Sequence, residues 1–181
     1  MTLFIIRHPE TECNRKGITQ GHSDSSLTRK GREIAQILGG LLTDKNITKI
    51  FSSDLGRCMQ TSKIVNQKLN VGIIYTQELR EQNFGDFNGK PADIIIRKFD
   101  LSDPTLVFPN GESFNQMKKR VLHFIYQLNQ EKPVLIVTHE GCLRAIISGI
   151  LNVDFSSEKC KTEENQIFML DISKRKIIRM N

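Results

Sequence analysis

With 181 residues, the chain is long enough for one domain with a sizeable core and leaves little room for a second. Its 38% hydrophobic and 25% charged residues place it with ordinary globular proteins, which excludes a disordered chain. The net charge of +6 favours an anionic ligand. The basic residues are scattered, however, and the densest group, Lys174-Arg175-Lys176, reads as a solvated turn between two strand-like runs, so nucleic-acid binding is not expected. No apolar stretch approaches the roughly 20 residues that span a bilayer, and no membrane partner is expected. Cys13, Cys58, Cys142 and Cys160 are far apart. With no secretory leader read ahead of the first strand, they predict a reduced, cytoplasmic protein. The four histidines show no ligand spacing, so neither a metal nor a cofactor is expected.

In chain order, the apolar run Leu3-Phe4-Ile5-Ile6 predicts a strand over residues 2–7 that is buried on both faces and ends at Arg7-His8. A loop follows to Leu27. Thr28 caps a helix whose Ile34, Ile37, Leu38, Leu41 and Leu42 fall on one face, and Gly39-Gly40 weakens its last turns. Lys49-Ile50-Phe51-Ser52 is a second strand. Ser53-Asp54 then caps a helix to about Leu69. A third strand lies near Ile73-Ile74-Tyr75. Residues 82–112 are irregular, with a short helix around 91–99. Ser113-Phe114-Asn115-Gln116 has the capping-box pattern, and it opens a helix with Phe114, Met117, Val121, Phe124, Ile125 and Leu128 inward. Val134 to Thr138 is another doubly buried strand, ending at His139. The next helix, Cys142 to Leu151, is apolar nearly all round and therefore buried. Two last strands fall at 166–172 and 176–180. This alternation predicts one α/β domain over residues 1–181, a three-layer αβα sandwich with a mostly parallel sheet.

His8 and His139 each end a buried strand, and ligands of open α/β sheets bind at the carboxyl ends of strands. Two imidazoles from distant parts of the chain are thus expected on one edge. Arg7 beside His8 suits attack on a bound phosphate. Taken singly, these residues have plainer readings. A strand-end histidine is most often a satisfied polar group. Arg57 alone reads as an exposed helix arginine, and Glu81 competes with Glu78 as a surface carboxylate. His123 reads as structural, and His22 as either a substrate neighbour or a solvated loop residue. Cys13, Cys58 and Cys142 read as small packing residues.

Four pieces in order change the weighting: Arg7-His8-Pro9-Glu10-Thr11 with Asn14; Ser52-Ser53-Asp54-Leu55-Gly56-Arg57; Glu78-Leu79-Arg80-Glu81 followed by Phe84-Gly85-Asp86-Phe87; and Thr138-His139-Glu140-Gly141. Over essentially its whole length the chain resembles the histidine phosphatase superfamily in its phosphoglycerate-mutase-like branch. The resemblance implies a metal-independent phosphomonoesterase acting on a small phosphorylated metabolite. His8 is then the phosphorylated nucleophile, Arg7, Arg57 and His139 the phosphate pocket, and Glu81 the proton donor. Asn14, Gln20, Gly21 and the backbone of Glu140 are implied as secondary phosphate contacts. The chemistry is coherent: two guanidiniums neutralise the dianion, a neutral imidazole attacks, and a carboxyl with a raised pKa protonates the leaving alkoxide and later activates water.

Two positions depart from the family pattern. Pro9 replaces a glycine and removes a backbone donor. Glu140 stands where a small residue is common, and its carboxylate is expected to point away from the phosphate. Pro109-Asn110-Gly111-Glu112-Ser113-Phe114 resembles the α-ribazole phosphatases of cobalamin assembly. Residues 82–112 are expected to choose the substrate. Two alternatives stay open: a phosphoglycerate mutase, and a phosphate-binding or regulatory protein weakened by Pro9. A monomer and a homodimer are both compatible with the sequence.

Overall fold

The computed structural model describes residues 2–129, 131–162 and 165–180. β1 (Thr2–Arg7) leads through a short helix α1 (Glu12–Arg15) to α2 (Arg29–Leu41), β2 (Lys49–Ser53), α3 (Gly56–Leu69) and β3 (Gly72–Thr76). Then follow α4 (Ala92–Lys98), α5 (Phe114–Gln127), β4 (Val134–Thr138), α6 (Glu140–Leu151), β5 (Ile167–Asp171) and β6 (Lys176–Met180). The six strands form one sheet in the order β3-β2-β4-β1-β5-β6. β3, β2, β4 and β1 pair in parallel, while β5 runs antiparallel to both β1 and β6. The mostly parallel sheet is therefore closed at one side by an antiparallel ribbon.

Strand alternation builds two cores. Leu3, Ile5, Val134 and Ile136 face α5 and α6, with Phe168 and Leu170 from β5. Phe4, Ile6, Leu135 and Val137 face α2 and α3. Each fully buried aliphatic side chain contributes about 1.5–3 kcal/mol, so the central strands are held from both faces as their unbroken apolar runs require. Helices on the two faces give the three-layer sandwich expected.

Two local expectations fail. Helical periodicity puts Ile37 and Leu41 on the same face of α2 as Ile34 and Leu38, but both are exposed. The buried arc runs through Gly31, Ala35, Leu38 and Gly39, because α2 packs tightly on α3 there. A Cβ at Gly39 would lie 3.1 Å from the Val65 carbonyl oxygen, so this glycine permits close helix contact and α2 continues past it. Ser53-Asp54 does not cap α3 either. The N-cap is Leu55, without a side-chain bond, and the first turn is closed by a distant carboxylate, with the Arg57 N–H donating to Asp24 Oδ1 at 3.2 Å. The other two caps are as expected: Thr28 Oγ1 accepts the Gly31 N–H, and Ser113 and Gln116 form the reciprocal capping box. Among the described residues no helix is long and apolar enough to cross a membrane.

Candidate active site

Three adjacent strands deliver the reacting groups. The registered pair Arg7↔Thr138 places the ends of β1 and β4 side by side, and the His8 N–H donates to the Thr138 carbonyl at 2.9 Å. The His8 and His139 rings therefore meet edge to face, 5.1 Å between centroids. β2, on the other side of β4, feeds α3, whose first turn carries Arg57. The two histidines and Arg57 expected to converge do so, and Arg57 is 1% exposed, the opposite of a surface helix arginine.

One hydrogen-bond chain fixes the tautomers. The Arg57 Nε–H is shared between His8 Nε2 at 3.3 Å and His139 Nδ1 at 3.2 Å. A guanidinium only donates, so both of these ring nitrogens carry lone pairs. His8 then holds its proton on Nδ1 and donates it to the Pro9 carbonyl at 2.9 Å, while His139 donates from Nε2 to Ser53 Oγ at 2.9 Å. Pro9 thus contributes through its carbonyl, and proline's missing N–H leaves this role intact. Burial, reinforced by Arg57, holds both imidazole pKa values well below the usual histidine value, with Arg7 adding to the effect and the Pro9 bond opposing it for His8. His8 is a neutral base with its Nε2 lone pair at the pocket.

Arg57 is held almost completely by the protein. Nη2 donates to the Gly21 carbonyl at 2.8 Å, and Nη1 to the Ser23 carbonyl at 2.9 Å and to Asp24. A Cβ at Gly56 would collide with the Asp24 carboxylate, so glycine is required where Asp24 straddles the helix terminus and the guanidinium. His139 is fully buried and does not line the cavity. Direct contact between His139 Nδ1 and a phosphoryl oxygen requires Arg57 to withdraw and Nδ1 to take up a proton, because a lone pair cannot donate to an acceptor oxygen.

Glu81 approaches from the segment after β3. Its Oε1 accepts the Gln82 N–H at 2.9 Å and its Oε2 the Gly141 N–H at 3.2 Å. Part of Glu81 faces the cavity, yet the carboxyl lies deep enough that desolvation raises its pKa, against those two hydrogen bonds and the Arg57 charge. Glu81 is chosen over Glu78 by its anchoring: Arg80 makes a two-pronged pair with Asp54 at 2.7 and 2.6 Å. Arg120 gathers the carbonyls of Gln77, Glu78 and Arg80. His22 Nε2 donates to the Glu81 carbonyl at 2.9 Å, so this histidine positions Glu81 and does not line the main cavity.

The cavity, about 390 Å³, is lined by Arg7, His8, Asn14, Gln20, Gly21, Glu81 and Glu140 at its inner end. Asn14 Oδ1 is taken up by the Thr11 N–H and hydroxyl, leaving its amide donors, and Gln20 Oε1 similarly accepts from Ser25. Toward its outer end the lining is mainly apolar, with Ile18, Phe84, Leu101, Phe108 and Phe155, although Asp103 and Arg144 also reach the cavity. Phe84, Phe87, Phe99 and Phe108 pack edge to face on one another. Glu140 corrects an expectation: its carboxylate turns toward the site and pairs with Arg7 Nη1 at 2.9 Å. Asp24, Asp54, Gly141 and the Pro9 carbonyl are the functional groups that sequence reasoning missed; the first three act on partners far away in the chain.

Residues 3–177 match the family model of the histidine phosphatase superfamily, branch 1. The chain belongs to that superfamily. It is a phosphatase of the phosphoglycerate-mutase-like branch. Among curated relatives it is 32% identical over 169 residues to the "Probable phosphoglycerate mutase GpmB" of Escherichia coli, covering 88% of this chain and 79% of the relative. Among solved structures it is similar to "a putative alpha-ribazole-5'-P phosphatase" from Escherichia coli, with a TM-score of 0.86 and 26% identity over 99% of this chain and 94% of the other. It is also similar to Bacillus stearothermophilus YhfR, with a TM-score of 0.84 and 28% identity over 94% and 90% of the two chains.

Proposed function

We propose that this chain, acting as one domain in the cytoplasm, hydrolyses the monoester of a small phosphorylated metabolite without a metal ion, through a phosphohistidine on His8. The observation that carries the reading is the pairing of a neutral His8 with the lone pair on Nε2 and a Glu81 carboxyl whose pKa is raised, on one cavity wall. Arg7 neutralises part of the charge of the incoming phosphate, and the amide donors left on Asn14 can hold its oxygens. His8 Nε2, released from the Arg57 Nε–H that it shares with His139, attacks phosphorus as the ester P–O bond breaks, and the Glu81 proton passes to the leaving oxygen. Water then attacks the phosphohistidine, Glu81 takes its proton, and the P–N bond breaks to release phosphate and restore the imidazole pair. Arg57, fixed by His139 and the Gly21 and Ser23 carbonyls, keeps both imidazoles neutral and oriented.

The mainly apolar outer end of the cavity suits an ester with a flat or hydrocarbon body. The α-ribazole-type relative makes α-ribazole 5′-phosphate the first candidate. Phosphoglycerate mutase is the second reading, and it rests on the GpmB relatives. The test is phosphate release from a panel of monoesters in excess EDTA, with His8→Ala alongside. Hydrolysis that survives EDTA and is lost in the variant is expected, with α-ribazole 5′-phosphate preferred. Interconversion of 2- and 3-phosphoglycerate faster than hydrolysis would transfer the assignment to the mutase. Phosphate binding without turnover of any ester would leave a phosphate-binding protein.

A further inference from the structure

The two arginines of the site differ in what they have left to offer. Arg57 directs Nε, Nη1 and Nη2 at protein acceptors and is buried. Arg7 is mostly enclosed, lines the cavity, and its Nε is buried with no hydrogen-bond partner. An unpaired buried donor is costly, and a phosphate oxygen is the acceptor chemistry this guanidinium matches. Of the remaining nitrogens of Arg7, Nη1 already holds the Glu140 carboxylate at 2.9 Å. Glu140 is the first residue of α6 and also lines the cavity, and its side chain is 44% exposed, so it can swing into solvent without loss of packing. A carboxylate on a guanidinium presents the same paired oxygens as one edge of a phosphate.

We propose that Glu140 is an internal competitor for the phosphate site: its carboxylate occupies Arg7 until substrate displaces it, and it disfavours esters that carry a second anionic group beside the phosphate. The proposal rests on the phosphatase reading and adds a substrate class to it. An incoming dianion must exchange with Glu140 on Nη1, which weakens ground-state binding by the worth of one partly exposed ion pair. Displaced Glu140 stays at the mouth of the inner chamber, since its backbone is fixed in the first turn of α6. A substrate carboxylate or second phosphate held beside Arg7 therefore meets a like charge at Glu140, while the Arg144 guanidinium one turn along α6, which also lines the cavity, is engaged by the Phe155 carbonyl and ring. Phosphoglycerates fall in the disfavoured class.

The test compares wild type, Glu140→Gln, Glu140→Ala and Arg7→Ala by calorimetric titration with inorganic phosphate. It adds KM values for glycerol 3-phosphate and 3-phosphoglycerate, which differ by a carboxylate. Both Glu140 variants are expected to bind phosphate about fivefold tighter than wild type. Their KM for 3-phosphoglycerate is expected to fall several-fold further than that for glycerol 3-phosphate. A damaged fold does not produce tighter binding, so the expected gain has one origin. Phosphate binding that Arg7→Ala abolishes but that the Glu140 variants leave unchanged or weaken overturns the competitor role and leaves the phosphatase reading standing. If no protein in the set binds phosphate, both readings fall together.

Discussion

Replacing Glu81 by glutamine tests the acid most directly, since the change is isosteric and removes only the transferable proton. Both carboxyl oxygens accept backbone N–H groups, from Gln82 and from Gly141. A glutamine oxygen can keep one of these bonds, while its NH₂ must face the other donor. The structural cost is about one hydrogen bond, roughly 1 kcal/mol, or a fall in Tm of about 2–4 °C for a chain of this size. The catalytic cost is larger. General acid catalysis contributes about 10²–10⁴-fold, or about 3–5 kcal/mol of barrier. That loss is expected in kcat/KM for an alkyl phosphate, whose alkoxide cannot leave unprotonated. For p-nitrophenyl phosphate, whose phenolate departs as the anion, kcat/KM should fall far less. The second step also needs Glu81, as base, so stopped-flow should then show a burst of p-nitrophenolate followed by slow turnover. The alkyl-ester activity of wild type should decline as pH rises through the raised pKa of Glu81, a limb the variant lacks. Equal losses on alkyl and aryl esters would refute Glu81 as the acid.

Two further outcomes follow from contacts in the same site. A Cβ at Gly141 would strike the Glu81 carboxylate, so Gly141→Ala should lower kcat on alkyl esters about 100-fold by displacing the acid. Alanine is the better helix former, so Tm should hold or rise; a parallel loss of Tm and activity would mean general disruption instead. The second outcome concerns acid stability. His8 and His139 have folded-state pKa values well below 6.5, so the unfolded chain binds protons that the native chain refuses. Their contribution is whole above about pH 6.5 and is lost as pH falls below it. Glu81, raised in the folded state, acts in the opposite direction and offsets part of this. Urea midpoints should drop between pH 7 and 5 with a slope approaching about 1–2 kcal/mol per pH unit. A flat profile in that window would show that these histidines take up protons in the fold as readily as in the unfolded chain.

How much could be read from the sequence depended on how local each cause was. β1 and β4 were legible because burial on both faces leaves an unbroken apolar run, and each ends at a histidine whose placement on the sheet edge follows from topology. Glu81 was distinguishable from Glu78 only by resemblance, since its anchoring comes from Asp54, Arg120 and His22, all remote in sequence. Ile37 and Leu41 satisfied helical periodicity yet lie outside, because Gly31, Ala35 and Gly39 set which side of α2 approaches its neighbour. Small residues carry no hydrophobic signal, so the pattern alone turned the helix too far. Asp24 looked like a loop carboxylate, and only the folded chain brings it 33 positions forward onto the terminus of α3. Repulsion from phosphate alone points the Glu140 carboxylate outward, whereas the attraction of Arg7, invisible in the sequence because the two are far apart in the chain, turns it inward in the free site.

The ring cluster of Phe84, Phe87, Phe99 and Phe108 stands apart from the two cores that clamp the sheet. The outer cavity wall thus rests on a nucleus of its own, while the reacting groups are moored to the strands. Selection for a new ester body can rewrite the ring positions 84, 87, 99 and 108 piecemeal, because their packing on one another is confined to that nucleus, whereas Asn88, Gly89 and Lys90 between them are bonded to the loop that holds Arg57 and must stay. Recognition and reaction are separable in this molecule at those four rings, and exchanging them should change substrate preference while the phosphate chemistry is kept.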